Sequence, residues 1–226
     1  MRELLTHGLR RQPKGTFWAL RNVSFKVQPG EGVGVIGSNG TGKSTLLRLI
    51  AGVLLPDEGA VTVRGDAALL NLRAGLSKDL TGRENVYLVG ALHGLDTHTV
   101  DACFDQIVEF AEVEDFIDAP IRHYSTGMQA RLGFAVVSQV ETPILLMDEV
   151  LAVGDRSFRK KCYAALEKIL ADGRTLILVS HNERDLERFC GRGLFIQHGR
   201  LAVDGTVQKA LAAYSESDDR ERAGRR

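Results

Sequence analysis

Gly37-Ser38-Asn39-Gly40-Thr41-Gly42-Lys43-Ser44 matches the pattern GxxxxGK[ST]. Glycines at this spacing let successive backbone N–H groups turn inward around an anion. A helix opening at Lys43 aims the positive end of its dipole at the same anion. Lys43 is long enough to reach the β- and γ-phosphates of a nucleotide, and the Ser44 hydroxyl is a hard oxygen ligand suited to Mg²⁺. Gly37, Ser38, Asn39, Gly40, Thr41, Gly42, Lys43, Ser44 and the following Thr45 are therefore the candidate nucleotide-binding residues. A plain glycine-rich turn is the competing reading, and the strand pattern before and helix pattern after disfavour it.

A second cluster closes an apolar run, Ile144-Leu145-Leu146-Met147-Asp148-Glu149. If that strand lies beside the one feeding the phosphate loop, Asp148 comes near Mg²⁺, directly or through water. Glu149 points elsewhere and is placed to polarise a water attacking the γ-phosphate. By itself an acid-ended strand says little; its weight comes from the phosphate loop in the same chain. A third candidate, His181, sits at the carboxyl edge of the apolar run ending at Val179, where a γ-phosphate is within reach. A fourth segment, Tyr124-Ser125-Thr126-Gly127-Met128-Gln129-Ala130-Arg131, taken alone is a helix start with Ser125 or Thr126 as the cap.

These residues need a scaffold of alternating strands and helices. Val33–Ile36 is a short β-branched run, and Lys43–Ala51 has helical apolar spacing. Phe17–Val27 alternates apolar and polar residues, which predicts a half-buried strand, and Val61 and Val63 suggest another. Helical patterns fill Arg83–His93, Thr97–Ala111 and Thr126–Gln139. Strand runs return at Pro143–Met147, Leu176–Val179 and Leu194–Gln197, with helical patterns at Phe158–Leu170 and Glu183–Phe189 between them. The expected fold is α/β, a mainly parallel sheet core interrupted by an α-helical insertion, with an antiparallel β edge. The expected organisation is a basic lead-in over 1–16 with a short helix at Arg2–Gly8, then one domain over 17–215. Its sheet core covers about 17–71 and 143–215 and its helical part about 72–142, followed by a disordered, solvated tail over 216–226.

Composition narrows the class. The 226 residues carry 29 basic and 29 acidic side chains, and this neutral balance argues against a nucleic-acid binder. The three cysteines lie far apart without a CxxC pair, so no zinc site or disulfide framework is expected, and no metal other than Mg²⁺. No apolar run is long enough to span a membrane.

Taken in order along nearly the whole chain, the segments resemble those of the ATP-binding-cassette (ABC) ATPases, P-loop proteins with a RecA-like core. Ser125 and Gly127 match the signature Leu-Ser-Gly-Gly-Gln, while Thr126 and Met128 depart from it. Ala152-Val153-Gly154-Asp155 resembles the D-loop, with Asp155 its acidic residue, and Val179-Ser180-His181 resembles the switch-histidine loop. Phe17-Trp18-Ala19-Leu20, Leu80-Thr81-Gly82-Arg83-Glu84-Asn85, Tyr124–Met128 and Asp148–Asp155 are spelled as in the ATPases of polysaccharide exporters, which move O-antigen, capsule, teichoic acid or galactan.

The resemblance implies ATP and Mg²⁺ as cofactors, hydrolysis with Lys43, Glu149 and His181 as catalytic residues, and Ser44, Asp148 and Asn71 at the metal. Asn71 stands where relatives carry a glutamine, or exporters a glutamate. The resemblance also implies a homodimer, in which Ser125, Thr126, Gly127 and Met128 contact the ATP held by the opposite subunit. An integral membrane permease is the further partner, reached through Asn71–Leu95, and the expected location is peripheral, on the cytoplasmic face of the inner membrane. Relatives stack adenine on an early aromatic ring. Phe17 and Trp18 are the candidates here, with core packing as the alternative. The late start is expected to cost the chain its first strand, and no C-terminal carbohydrate-binding sandwich is expected after residue 226, so that polymer recognition would fall to the permease.

Other readings are an ABC-type ATPase of a different transporter class, a non-transport ABC ATPase, and a GTPase or small-molecule kinase sharing only the phosphate loop. Neither an Asn-Lys-x-Asp segment nor a sustained heptad pattern is present to support the last two. A non-catalytic nucleotide-gated binding module is countered by Glu149 and His181.

Overall fold

The computed structural model describes residues 2–5, 17–70, 75–149 and 155–224. Two compact units emerge. One comprises residues 1–69, 142–149 and 170–226; the other comprises 70–141 and 150–169.

The first unit is built on a six-stranded sheet. Its strands are β2 (Gly32–Ile36), β4 (Ala67–Leu70), β5 (Ile144–Asp148), β6 (Thr175–Val179), β7 (Arg192–Gln197) and β8 (Arg200–Thr206), in the order β4-β5-β6-β2-β7-β8. The pairs β5/β6, β6/β2 and β2/β7 are parallel, and β7/β8 is an antiparallel hairpin at the edge with an irregularity between Phe195 and Ile196. β6 thus separates β5 from β2, which corrects the expectation that the Asp148 strand lies directly beside the phosphate-loop strand. The inner parallel strands β2, β5 and β6 are near-continuous apolar runs, as strands of a sheet covered on both faces are, whereas the edge strand β8 alternates exposed and half-buried residues. Helix α1 (Lys43–Ala51) packs Leu46 and Leu47 against Val33, Val35, Leu146, Ile177, Val179, Leu194 and Ile196 to form the core.

The remaining elements of this unit depart from expectation in three places. β1 (Arg2–Leu5) pairs antiparallel with β3 (Ala60–Val63), so the lead-in supplies a strand rather than a helix at its start. Residues 17–27 form no strand, although Leu20, Phe25 and Val27 do pack on the core; their backbone is tied elsewhere, for example Arg21 N to Gly199 O at 2.7 Å. After α6 (Glu183–Phe189), helix α7 (Val207–Gly224) covers most of the segment expected to be a disordered tail. Val207, Ala210 and Leu211 are buried at its start, and Tyr214 meets Phe195 edge to face at 5.8 Å. The docked first turns nucleate the helix, so its charged second half continues at little further cost.

The second unit is helical, with α2 (Gly82–Leu92), α3 (Thr97–Ala111), α4 (Thr126–Ser138) and α5 (Arg156–Ala171). Thr81 and Glu84 form a capping box on α2, and Asp96 caps α3 through Thr99 N. Residues 150–169 group here rather than with the sheet, because Phe158 packs edge-on against Phe110 (5.5 Å) and Phe134 (6.2 Å).

The spelling of Leu80–Asn85 and Tyr124–Met128 has a packing explanation within this unit. Asn85 is fully buried and fully bonded: Oδ1 accepts from Ser77 N, and Nδ2 donates to the carbonyls of Ser77, Leu80 and Thr81. Gly82 leaves room for the Tyr124 hydroxyl, which donates to Phe116 O at 2.6 Å. Gln129 Nε2 then donates to Tyr124 O at 3.2 Å, tying the same tyrosine to the first turn of α4. Among the described residues no helix is long and apolar enough to cross a membrane.

Candidate nucleotide site

The loop from Gly37 to Gly42 leaves β2 and enters α1. Gly42 is the N-cap of α1 with φ 99°, a left-handed conformation that costs a side chain about 1–2 kcal/mol. A β-carbon there would also lie 2.5 Å from Ala19 O. Lys43 is buried, and its Nζ donates to Gly37 O (2.6 Å) and Ser38 O (2.9 Å), curling the side chain back over the loop. Thr41 Oγ1 donates to Ser38 O at 2.9 Å. Burial pulls the Lys43 pKa below its ordinary value, and the negative charges of Glu149 and Asp148 partly oppose that. Two carboxylates therefore act electrostatically on the ammonium that tops the loop.

Beside the loop lies a cavity of about 380 Å³. Its walls are Ser38–Thr41, Phe17, Trp18 and Ala19, the Phe195–Gly199 turn of the β7/β8 hairpin, and Ser217 of α7. Phe17 is 83% exposed and Trp18 half-buried, so neither packs in the core as one reading had it; both line this cavity. Ser217 holds the Gln197 amide, with Nε2 to Oγ at 2.6 Å. Neither residue carried a sequence signal for this place, since Ser217 falls in the charge-rich tail and Gln197 in an ordinary strand end.

Asp148 closes β5, and Glu149 follows it with φ 55°, a strained value for a residue with a β-carbon. Its backbone N–H donates to Val179 O at 3.0 Å. Its carboxylate Oε1 lies 2.8 Å from His181 Nε2, and both side chains are about half exposed. His181 leaves the end of β6, ahead of Asn182, which caps α6 through Arg184 N. The sequence-predicted Glu149 and His181 thus share one contact that their separation in the chain did not reveal.

In the helical unit Ser125, rather than Thr126, caps α4: its Oγ accepts from Met128 N at 3.1 Å. Ser125 and Thr126 are exposed, and a β-carbon at Gly127 would meet nothing nearer than Ser125 Oγ at 3.7 Å. The turn is an accessible helix N-terminus, where backbone N–H groups favour an anion. Asp155 caps the first turn of α5, accepting from Phe158 N at 2.9 Å, and that bond chiefly holds its carboxyl below the usual range. Asn71 and the D-loop residues Ala152–Gly154 lie outside the described residues.

This combination of a strand-loop-helix anion cradle with acids and a histidine at neighbouring strand ends is that of a P-loop nucleoside triphosphatase. Solved structures of similar fold include an ATP-binding subunit of an ABC transporter (TM-score 0.76, 24% identity, 87% of each chain covered). Another is the dimeric post-hydrolysis state of the ATP-binding cassette MJ0796 bound to ADP and Pi (TM-score 0.74, 23% identity, 88% of this chain and 94% of that one).

The ABC transporter family model matches residues 20–152. The O-antigen export system ATP-binding protein RfbB of Klebsiella pneumoniae is 46% identical over 202 residues, covering 89% of this chain and 82% of its own. The teichoic acids export ATP-binding protein TagH of Listeria monocytogenes is 40% identical over 205 residues, and this chain spans 61% of its length. The chain belongs to the ABC transporter family and is an ABC-type ATPase.

Proposed function

We propose that this chain is the ATP-hydrolysing subunit of an exporter that drives a lipid-linked polysaccharide across the cytoplasmic membrane, docked on the inner face of an integral membrane permease. The observation that carries this reading is the 46% identity, over most of both chains, to an O-antigen export ATP-binding protein. The teichoic-acid export relative supports the same class of cargo.

In this reading ATP lies with its triphosphate in Gly37–Thr45 and its base toward Phe17 and Trp18. Lys43 exchanges its contacts with the Gly37 and Ser38 carbonyls for β- and γ-phosphate oxygens. The oxygen donors Ser44 and Asp148 suit a hard divalent cation and would hold Mg²⁺. When bound, Mg²⁺ would neutralise charge on the β- and γ-phosphates. Glu149 orients and deprotonates the attacking water. His181, in contact with that carboxylate, fixes its direction and can turn its Nε2–H to the γ-phosphate when nucleotide binds.

The exposed start of α4 at Ser125–Met128 serves the ATP held by a second copy, and Asp155 faces the same seam. Two copies close because each triphosphate carries charge that one chain does not neutralise alone, and cleavage of the γ-phosphate opens them again.

The test uses purified chain with MgATP. Slow hydrolysis is expected, together with a stable dimer of Glu149→Gln by light scattering. A Glu149→Gln chain that stays monomeric at saturating MgATP sinks the shared-site reading. Loss of polymer export in cells carrying Glu149→Gln, with polymer synthesis intact, tests the cargo.

A further inference from the structure

Glu112 ends α3 with φ 55° and ψ 51°, in the left-handed region that glycine favours. Its two oxygens are divided between two helices: Oε2 accepts from Arg131 of α4 at 2.9 Å, and Oε1 from Lys161 of α5 at 2.6 Å. Each cation also lies over an aromatic ring, Arg131 at 6.0 Å from the Phe158 centroid and Lys161 at 5.9 Å from that of Phe110. Phe110, Phe158 and Phe134 are themselves in mutual contact, so one apolar cluster lies beneath the three charges.

Of the two bridged helices, α4 begins at the candidate nucleotide contact Ser125 and α5 at the D-loop acid Asp155. Arg131 is six residues beyond Ser125, which caps α4. Lys161 is six residues beyond Asp155, which caps the first turn of α5. Both cations reach Asp155 electrostatically and add to the lowering of its carboxyl pKa.

We propose that Glu112 is a positioning residue for ATP hydrolysis: through Arg131 and Lys161 it locks the helix opening at Ser125–Gly127 to the helix opening after Asp155. It touches no substrate. The strained backbone at α3's end brings its carboxylate between the two cations, so that the signature turn and the D-loop end are presented in one fixed mutual geometry. The inference rests on the reading that these two segments act on ATP.

Glu112→Gly separates this role from simple helix capping. Glycine relieves the left-handed strain, while the loss of two partly exposed ion pairs costs a similar amount, so the fold should hold. The expected result is an unfolding midpoint close to wild type, a KM for ATP within about twofold, and a kcat lower by about three- to thirtyfold, the range of a coupling interaction. Glu112→Gln, which keeps the side chain's size, should lower kcat in the same direction.

Lys161→Met should reproduce part of the loss and add little in the Glu112→Gln background. Wild-type kcat in a folded Glu112→Gly chain overturns the inference and leaves the function reading standing, as does a loss of kcat that merely tracks a loss of folded protein. A wild-type chain inert toward MgATP overturns both.

Discussion

His181 Nε2 donates to Glu149 Oε1 across 2.8 Å, joining the residue after the acidic end of β5 to the residue beyond β6. The contact holds the imidazole ring and the aim of the carboxylate in one mutual orientation. Replacing Glu149 by Gln is expected to slow hydrolysis by about 10²–10⁴, which is about 3–5 kcal/mol of barrier. His181→Ala should act in the same direction. The double variant should lose far less than the sum, because the two groups work as a pair. Single-turnover hydrolysis of radiolabelled ATP checks this, and strict additivity would refute the pairing.

Lys43 is buried and spans two carbonyls of the loop it is expected to share with phosphate. Lys43→Met should weaken MgATP binding by about 10- to 100-fold, the worth of charged hydrogen bonds of about 1.5–3 kcal/mol. Titration calorimetry measures this directly. Unchanged affinity would place the triphosphate elsewhere.

Gly82 sits against the Tyr124 hydroxyl, with Ile117 O also 2.9 Å from where a β-carbon would be. Gly82→Ala should therefore destabilise the chain by about 1–3 kcal/mol, read as a lower urea midpoint. Tyr124→Phe in the same background should recover part of the loss by removing the clashing oxygen, though it leaves Phe116 O without its 2.6 Å donor.

Arg192 grips Asp204 with two nitrogens, Nε at 2.6 Å and Nη2 at 2.7 Å, and also reaches Glu31 at 3.2 Å. The hydrogen bonds from Arg192 hold the Asp204 carboxyl below its ordinary value. The native state therefore binds this proton less readily than the unfolded chain does. The pair's contribution is present above about pH 4 and fades as pH falls through the depressed native value. Asp204→Asn should cost at most about 1 kcal/mol at neutral pH after solvent screening, and flatten the acid limb of a stability–pH curve.

Burial pushes the thiols of Cys162 and Cys190 up to about 12, and that of Cys103 upward as well. Thiolate is the reactive form, so all three should react slowly with a thiol reagent at pH 7.5 in the native chain. Cys103, the least buried, should react first, and the other two only after denaturant is added. Fast labelling of two thiols without denaturant would contradict the packing around α5 and α6.

The phosphate loop, the acid-ended strand and the α1, α3 and β6 elements were legible because each is written in contiguous residues with one clear period. Phe17–Val27 shows where period alone falls short. Its alternation of exposed and half-buried side chains is real, yet it pairs with no strand among the described residues, so burial follows the pattern without making a strand. β4, Ala-Ala-Leu-Leu, has neither alternation nor β-branched residues and becomes a strand only through its neighbour β5. The tail was misread because a charge run says nothing about a helix already started by buried Val207, Ala210 and Leu211. The Glu149–His181 contact and the Glu112 bridge were illegible because both depend on how distant segments are brought together.

The buried strand β6 sits between the two others whose ends carry the chemistry, with Val179 level with Asp148 on one side and Val35 on the other. Its length is therefore held constant from both flanks. An insertion or deletion of one residue within 175–179 would move His181 by about 3.3 Å along the sheet and reverse the facing of every side chain after it. Descendants of this gene should tolerate changes of loop length at exposed turns such as Val53–Gly59, but admit none in these five positions.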